Sequence, residues 1–215
     1  IEPVNGSAIN AAGGNPAGPV DGTPFWLDWL EKHGPVAALG SSDNHNGRQD
    51  TEAFGDIGLP TTVVYAQDLT QPAILAGIRA GRMFIDLGAG YGNLVDFCVK
   101  AATGEACMGG QLKLSAGSVR IETKLRLERG GELAVLDGAK ILATRKIGVG
   151  EPPTVSLDGV VDPGRIARTS GQQPDTAQSP AFSIDLAPGR HILRLVISQE
   201  GRPVLLSNAV LVEVE

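Results

Sequence analysis

The hydrophobic pattern of the chain changes near residue 90, and this change constrains the fold more than any other feature. Before it, the apolar runs VAALG (36–40) and TTVVYA (61–66) show no alternation and are separated by helix-like segments. Such runs are typical of strands buried on both faces of a parallel sheet. After it, short alternating segments are separated by turns. The pattern predicts a parallel α/β domain over residues 1–92 and an antiparallel β-sandwich domain over residues 93–215.

Two helices are predicted in the first domain. Thr23 is a good N-cap for an apolar helix that ends before Gly-Pro, and Thr70 is a good N-cap for a second helix over residues 71–80. Trp26 and Trp29 lie on the first helix, and we expect both to pack in the core.

The second domain shows strand patterns and no helical period. The segment VRIETKLRLE (119–128) places apolar and charged residues on opposite sides of a strand, as in a half-exposed antiparallel sheet. Asp137 and Gly138 form the dipeptide preferred by a type I′ hairpin turn. GAGYGN (88–93) lacks the lysine of a phosphate-binding loop and is interpreted as the hinge between the domains.

The composition excludes some partners and leaves the compartment open. The formal net charge is −6 and no lysine-arginine cluster appears, so a nucleic acid is not an expected partner. No apolar stretch is long enough to cross a membrane. Cys98 and Cys107 are too few for a disulfide framework, and we expect buried free thiols. The chain begins without Met, which suggests a processed or cut form whose localisation the sequence does not predict.

The motif GSSDNHNGR (40–48) carries the clearest chemical signal. Asp43 and His45 follow the apolar run that ends at Gly40, and functional sites are built at this end of buried strands. On an extended backbone, residues two apart project to the same side, so both side chains could reach one metal ion. Zinc, manganese and iron accept this pair of ligands. The alternative is that Asp43 caps a turn and His45 lies in an exposed loop.

Six segments together resemble one known superfamily. They are IEPVNG, the tryptophan-containing helix, GPVAALGSSDNH, IGLPTTVVYA, TQPAILAGIRAGRMFIDL and the closing RLVISQEGRPVLLSNAVLVEV. The chain is similar to the polymerase-and-histidinol-phosphatase (PHP) superfamily, in particular its CehA/McbA-like metallohydrolase branch. The resemblance is strong over residues 36–87 and looser over 100–180. It implies the C-terminal part of a PHP-type (β/α) barrel followed by the sandwich, with Asp43 and His45 as the last two metal ligands.

The earlier ligands of that superfamily have no counterpart here. Its barrel opens with an H-x-H motif, and the remaining histidines of this chain, His33 and His191, match no family ligand. The resemblance therefore implies a fragment of a metal-dependent hydrolase that acts on a phosphoester or another ester and is inactive in isolation. We expect the missing N-terminal fragment, or a second copy of the chain, to cover the apolar face of FWLDWL. The competing hypothesis is a non-catalytic binding module whose sandwich carries recognition.

Two further residues are candidates for substrate binding. Arg48, just past the metal-ligand candidates, could hold a phosphate or carboxylate, although an exposed loop arginine is the simpler interpretation. Asn5 lies at the end of the first short extended segment and could hydrogen-bond a metal ligand. Arg82, next to a helix end, is expected to be structural.

Overall fold

The computed structural model describes residues 1–6, 21–45, 57–88, 93–115, 117–148 and 180–215. Within this part of the chain 51% of the residues are in strands and 14% are in two helices, so the architecture is mainly β. The helices are α1 (Thr23–His33) and α2 (Gln71–Arg79). The strands are β1 (Val4–Asn5), β2 (Gly40–Ser41), β3 (Thr61–Val64), β4 (Met83–Asp86), β5 (Leu94–Ala101), β6 (Gly104–Cys107), β7 (Gln111–Leu114), β8 (Ser118–Arg126), β9 (Gly131–Asp137), β10 (Lys140–Ile147), β11 (Ala181–Asp185), β12 (Gly189–Gln199), β13 (Arg202–Ser207) and β14 (Val210–Val214).

Two sheets pack face to face as a sandwich. The larger sheet has the order β10-β9-β12-β13-β4-β3, with β14 beside β12 and β7 beside β14. The smaller sheet has the order β11-β8-β5-β6. Buried apolar residues from both sheets fill the space between them, among them Phe84, Phe97, Ile121 and Leu195. The predicted β-sandwich is therefore confirmed, and the alternating pattern over 119–128 is that of β8.

The predicted PHP-type barrel is wrong. β3 pairs antiparallel with β4, and β4 pairs antiparallel with β13, so these strands extend the larger sheet of the sandwich. Among the described strands only β1 with β2 and β7 with β14 pair parallel. The apolar run of β4 is buried on both faces because Phe84 enters the core between the sheets while Ile85 points into a second core. Burial on both faces does not specify the direction of pairing, and this is where the prediction failed.

The second core lies on the outer face of the larger sheet. There β1, α1 and β2 form a βαβ unit in which Val4, Trp26 and Leu30 pack against sheet residues such as Ile192 and Leu211. The described part of the molecule thus has three layers, and the larger sheet is the middle one. Neither of its helices has the length and apolar character required to span a membrane.

The helix ends differ in part from the expectation. Gly22 is the N-cap of α1, and the carboxylate of Asp21 accepts a hydrogen bond from the Thr23 N–H (2.8 Å), so Thr23 is the first helical residue instead of the cap. The Thr70 cap of α2 is confirmed, since its hydroxyl oxygen accepts from the Ala73 N–H.

The two tryptophans of α1 have different environments. Trp26 is buried and its indole N–H donates to the Val36 carbonyl (2.9 Å), as expected of a core residue. Trp29 is 39% exposed, so its assignment to the core is wrong. The helix buries one face only, and Trp29 lies on the other, next to Phe25 and His33.

The cysteines are joined in a disulfide bond, so the expectation of free thiols is wrong. Cys98 and Cys107 are directly opposite each other on β5 and β6, and the pairing of these antiparallel strands brings the two sulfur atoms together. Residue counts and spacing carry no information about strand register, which is why the sequence did not reveal the bond.

The hairpin turn is shifted by one residue from its predicted position. Asp137 is the last residue of β9 and pairs with Lys140, so Gly138 and Ala139 form the turn. Gly138 has φ +55°, a left-handed conformation that glycine adopts without strain.

Candidate functional site

The first two strands bring separate parts of the chain to one edge of the βαβ unit. β1 and β2 are parallel, and their register pairs Asn5 with Ser41. Because parallel strands end at the same edge, Asn5 and the residues that follow Ser41 emerge side by side. Asp43 and His45 are two and four residues past that point.

Asn5, Asp43 and His45 form one hydrogen-bonded cluster. The His45 Nε2 lies 2.8 Å from the Asp43 Oδ1, and the Asp43 carboxylate also interacts with the side chain of Asn5. Asp43 has φ +49°, a left-handed conformation that aspartate tolerates better than most residues. The backbone is therefore not extended through this segment, and the turn at Asp43 lets the imidazole fold back onto the carboxylate.

The electrostatics favour an ionised carboxylate at this position. The hydrogen bond from the Asn5 side chain, followed by that from His45, lowers the pKa of Asp43 below its ordinary value. Asp43 and His45 are 44% and 74% exposed, so the cluster is open to solvent. An ionised oxygen and an imidazole nitrogen thus lie together on an open surface, joined by a hydrogen bond, and a cation bound between them would replace the hydrogen that they share.

The spacing of the two donor atoms suits a transition metal ion. Donor atoms 2.8 Å apart subtend about 84° at an ion ~2.1 Å from each, close to the angle between adjacent ligands of an octahedral ion. The described residues contain no group of three or more His, Cys, Asp or Glu side chains able to hold a metal. The cluster therefore fits as two neighbouring ligands of zinc, manganese or iron, and not as a whole coordination shell.

Two residues that the sequence did not single out support the cluster. The Gly40 N–H donates to the Thr62 Oγ1 (2.9 Å), and the Thr62 hydroxyl donates to the Gly40 carbonyl (2.8 Å), so one side chain links β2 to β3. Gly6 is enclosed by backbone, since a Cβ there would lie 2.3 Å from the Leu59 carbonyl oxygen and 2.8 Å from that of Ser42. Only glycine fits directly after Asn5. The Asn-Gly dipeptide is the sequence feature that could have indicated this tightly enclosed position.

The other candidates lie elsewhere or outside the described residues. Arg48 and the centre of the predicted hinge (89–92) are outside the described residues. The Arg82 Nη2 donates to the Asp96 Oδ2 (3.1 Å), which fits its expected structural role. The ring of His33 lies against that of Trp29, with centroids 4.3 Å apart and planes tilted by 40°.

His191 joins two elements of the larger sheet. Its Nδ1 is 2.7 Å from the Asp137 Oδ2 and its Nε2 is 2.8 Å from the Ala187 carbonyl oxygen. Burial disfavours the imidazolium, but the hydrogen bonds to Asp137 and Ala187 and the charges of Asp137 and Glu31 outweigh it and raise the pKa of His191. Both ring nitrogens face acceptors, an arrangement that only the charged form satisfies.

Comparison with family models, with curated proteins and with solved structures gives no match.

Proposed function

We propose that this chain belongs to a metal-dependent hydrolase of phosphoesters or related esters, in which Asp43 and His45 ligate a zinc, manganese or iron ion. The observation that carries the proposal is the contact between the ring nitrogen of His45 and the carboxylate of Asp43 at the shared end of two parallel strands. Both residues are also the ones to which the family resemblance assigned this role.

Each residue of the cluster has a distinct part in the proposal. Asp43 supplies an anionic oxygen, which its lowered pKa keeps ionised at neutral pH. His45 supplies a ring nitrogen, and Asn5 holds the carboxylate in place. A divalent ion held by Asp43 and His45 would supply Lewis-acid activation of water and of the ester group. Arg48 is proposed to bind the anionic part of the substrate.

Two protein ligands hold a metal ion weakly. A tightly bound cation usually has about four to six ligands. We propose that the others come from parts of the protein outside the described residues or from a second copy of the chain. The substrate is a small-molecule ester in either case.

Metal analysis of the purified chain tests this proposal. We expect zinc or manganese titrated into the chain to bind at one site, and the binding to be lost in Asp43→Ala and in His45→Ala. His33→Ala is the matched control, because His33 is an exposed histidine outside the cluster and its loss should leave the affinity unchanged. Loss of binding in all three variants would indicate non-specific capture by histidines and would refute the site.

The competing proposal is a binding module without catalysis. It is favoured by the predominance of the sandwich, whose core contains most of the buried apolar residues of the described chain. This proposal would be supported if the wild-type chain bound no metal and if neither Asp43→Ala nor His45→Ala changed that result.

A further inference from the structure

A cleft lies between the end of α1 and the outer face of the larger sheet. Its volume is about 290 Å³. One wall is formed by the last residues of α1, Lys32 and His33, and the floor by Gln111, Lys113 and Glu213 of β7 and β14. In a βαβ unit the helix runs opposite to the strands, so this cleft is at the other end of the unit from Asp43.

The floor of the cleft carries a row of charges. β12 pairs Arg190 with Glu213, and β14 pairs Glu213 with Lys113. Residues that are directly opposite on neighbouring strands share a face, so these three side chains lie in one row across three strands. The Lys113 Nζ is 3.4 Å from the Glu213 Oε2. The Glu213 carboxylate thus lies in register between two cations and is ion-paired with Lys113.

The wall adds a third cation. Lys32 contacts Asp28, its Nζ 2.7 Å from the Asp28 Oδ1, but both side chains are more than half exposed. Exposed ion pairs of this kind contribute little to stability, so the Lys32 ammonium can leave Asp28 and contact a ligand in the cleft. Arg190 is fixed more firmly, because its guanidinium donates to the Glu31 carbonyl at the end of α1.

We propose that this cleft binds a small anion through a carboxylate or phosphate group, held by Lys32, Lys113 and Arg190. The cations come from three different elements and converge on one concave surface in a protein whose net charge is −6. The lining holds these three cations and one carboxylate, Glu213, so its charge opposes that of the whole chain and attracts anions. This inference does not depend on the metal site, which uses other residues at the other end of the βαβ unit.

Titration monitored by tryptophan fluorescence tests the proposal, because the Trp29 ring contacts that of His33, which lines the cleft. Sodium phosphate and sodium citrate are titrated separately at low ionic strength, with sodium chloride of equal ionic strength as the reference. We expect the tryptophan fluorescence to change saturably with phosphate, citrate or both. The anion that gives saturation identifies whether the cleft binds a phosphate or a carboxylate group. Amide chemical shifts measured by NMR should change at Lys32, Gln111 and Glu213. The absence of saturation with both anions would overturn the proposal.

A matched pair of variants locates the binding. Lys113→Gln should weaken it about fivefold, the effect of losing one exposed ion pair. Lys124→Gln removes the same charge from an exposed position on β8 and should have no effect. Thermal unfolding checks that both variants fold, which is expected because Lys113 and Lys124 are exposed. Equal affinities of the two variants would also overturn the proposal.

Discussion

Loss of the buried Asn208 side chain should destabilise the protein more than loss of the neighbouring buried Ser207 hydroxyl. Asn208 is 2% exposed and lies between β13 and β14. Its Oδ1 accepts from the Ala38 N–H (2.7 Å), and its Nδ2 donates to the carbonyls of Ala38 (2.9 Å) and Met83 (3.0 Å). The carboxamide thus pairs with Ala38 as a neighbouring strand would, and it joins the βαβ unit to the larger sheet.

The magnitude follows from these three bonds. A buried hydrogen bond contributes ~1 kcal/mol, and each buried partner left unsatisfied adds a further cost, so Asn208→Ala should lower the free energy of unfolding by about 3–5 kcal/mol. In a protein of this size that corresponds to a decrease in Tm of roughly 6–20 °C.

Chemical denaturation with a neighbouring control measures this effect. Ser207 is buried as well, and its hydroxyl oxygen accepts a hydrogen bond from the Leu195 N–H (2.7 Å), so the loss of this bond in Ser207→Ala should cost about 1–2 kcal/mol. Asn208→Asp keeps the acceptor for Ala38 but places a carboxylate against two carbonyl oxygens, and it should be as damaging as alanine. If Asn208→Ala costs no more than Ser207→Ala, the carboxamide does not hold the layers together and the reasoning is wrong.

Three further predictions concern the disulfide, pH and activity. Thiol titration should find no free cysteine. The double variant Cys98→Ser/Cys107→Ser should lose about 2.6 kcal/mol of unfolding free energy, because the disulfide closes a loop between residues with a sequence separation of 9. An unchanged Tm would contradict this. Because the pKa of His191 in the folded protein is raised above its ordinary value, this residue stabilises the fold at low pH, and that stabilisation is lost as the pH rises through the raised pKa; the same dependence of unfolding free energy on pH in His191→Gln would contradict this. The isolated chain should hydrolyse p-nitrophenyl phosphate no faster than Asp43→Ala/His45→Ala, and metal-dependent turnover would show that its ligands are complete.

Local features of the fold were predictable because they depend on neighbouring residues. The alternation over 119–128 specifies which side chains of β8 enter the core. Thr70 caps α2 through a bond to the N–H three residues later, a purely local interaction. Such features follow from periodicity and capping rules that need no knowledge of the rest of the chain.

Pairing direction and partner strands were not predictable in the same way. The run that forms β4 is apolar throughout, and a parallel sheet explains such a run as well as a covered antiparallel sheet does. The sheet is a covered antiparallel one, because β13 pairs antiparallel with β4 and the βαβ unit packs on the outer face of the sheet. The disulfide was missed for the same reason, since only the register of β5 and β6 brings its cysteines together.

Some features of the candidate site could be predicted from local sequence, and others depend on the folded backbone or on distant residues. Asp43 and His45 could be selected from sequence because a polar pair follows an apolar run, and Asn5 because it ends an extended segment. The left-handed turn at Asp43 was not predictable, and it determines how the two side chains meet. The support from Thr62 was not predictable either, because a threonine in a strand gives no indication that it bonds both backbone groups of a glycine.

The sandwich helps to position the candidate site. Asn208, which follows β13, holds the backbone of Ala38, and Ala38 leads through β2 to Asp43 within five residues. The same carboxamide bonds Met83 of β4, so the N-terminal βαβ unit and the larger sheet share one buried amide. Contacts between residues 170 positions apart therefore fix the strand that carries the site. A change in this part of the sandwich should consequently reach Asp43 and His45 through Ala38, without any contact between the sandwich and a ligand.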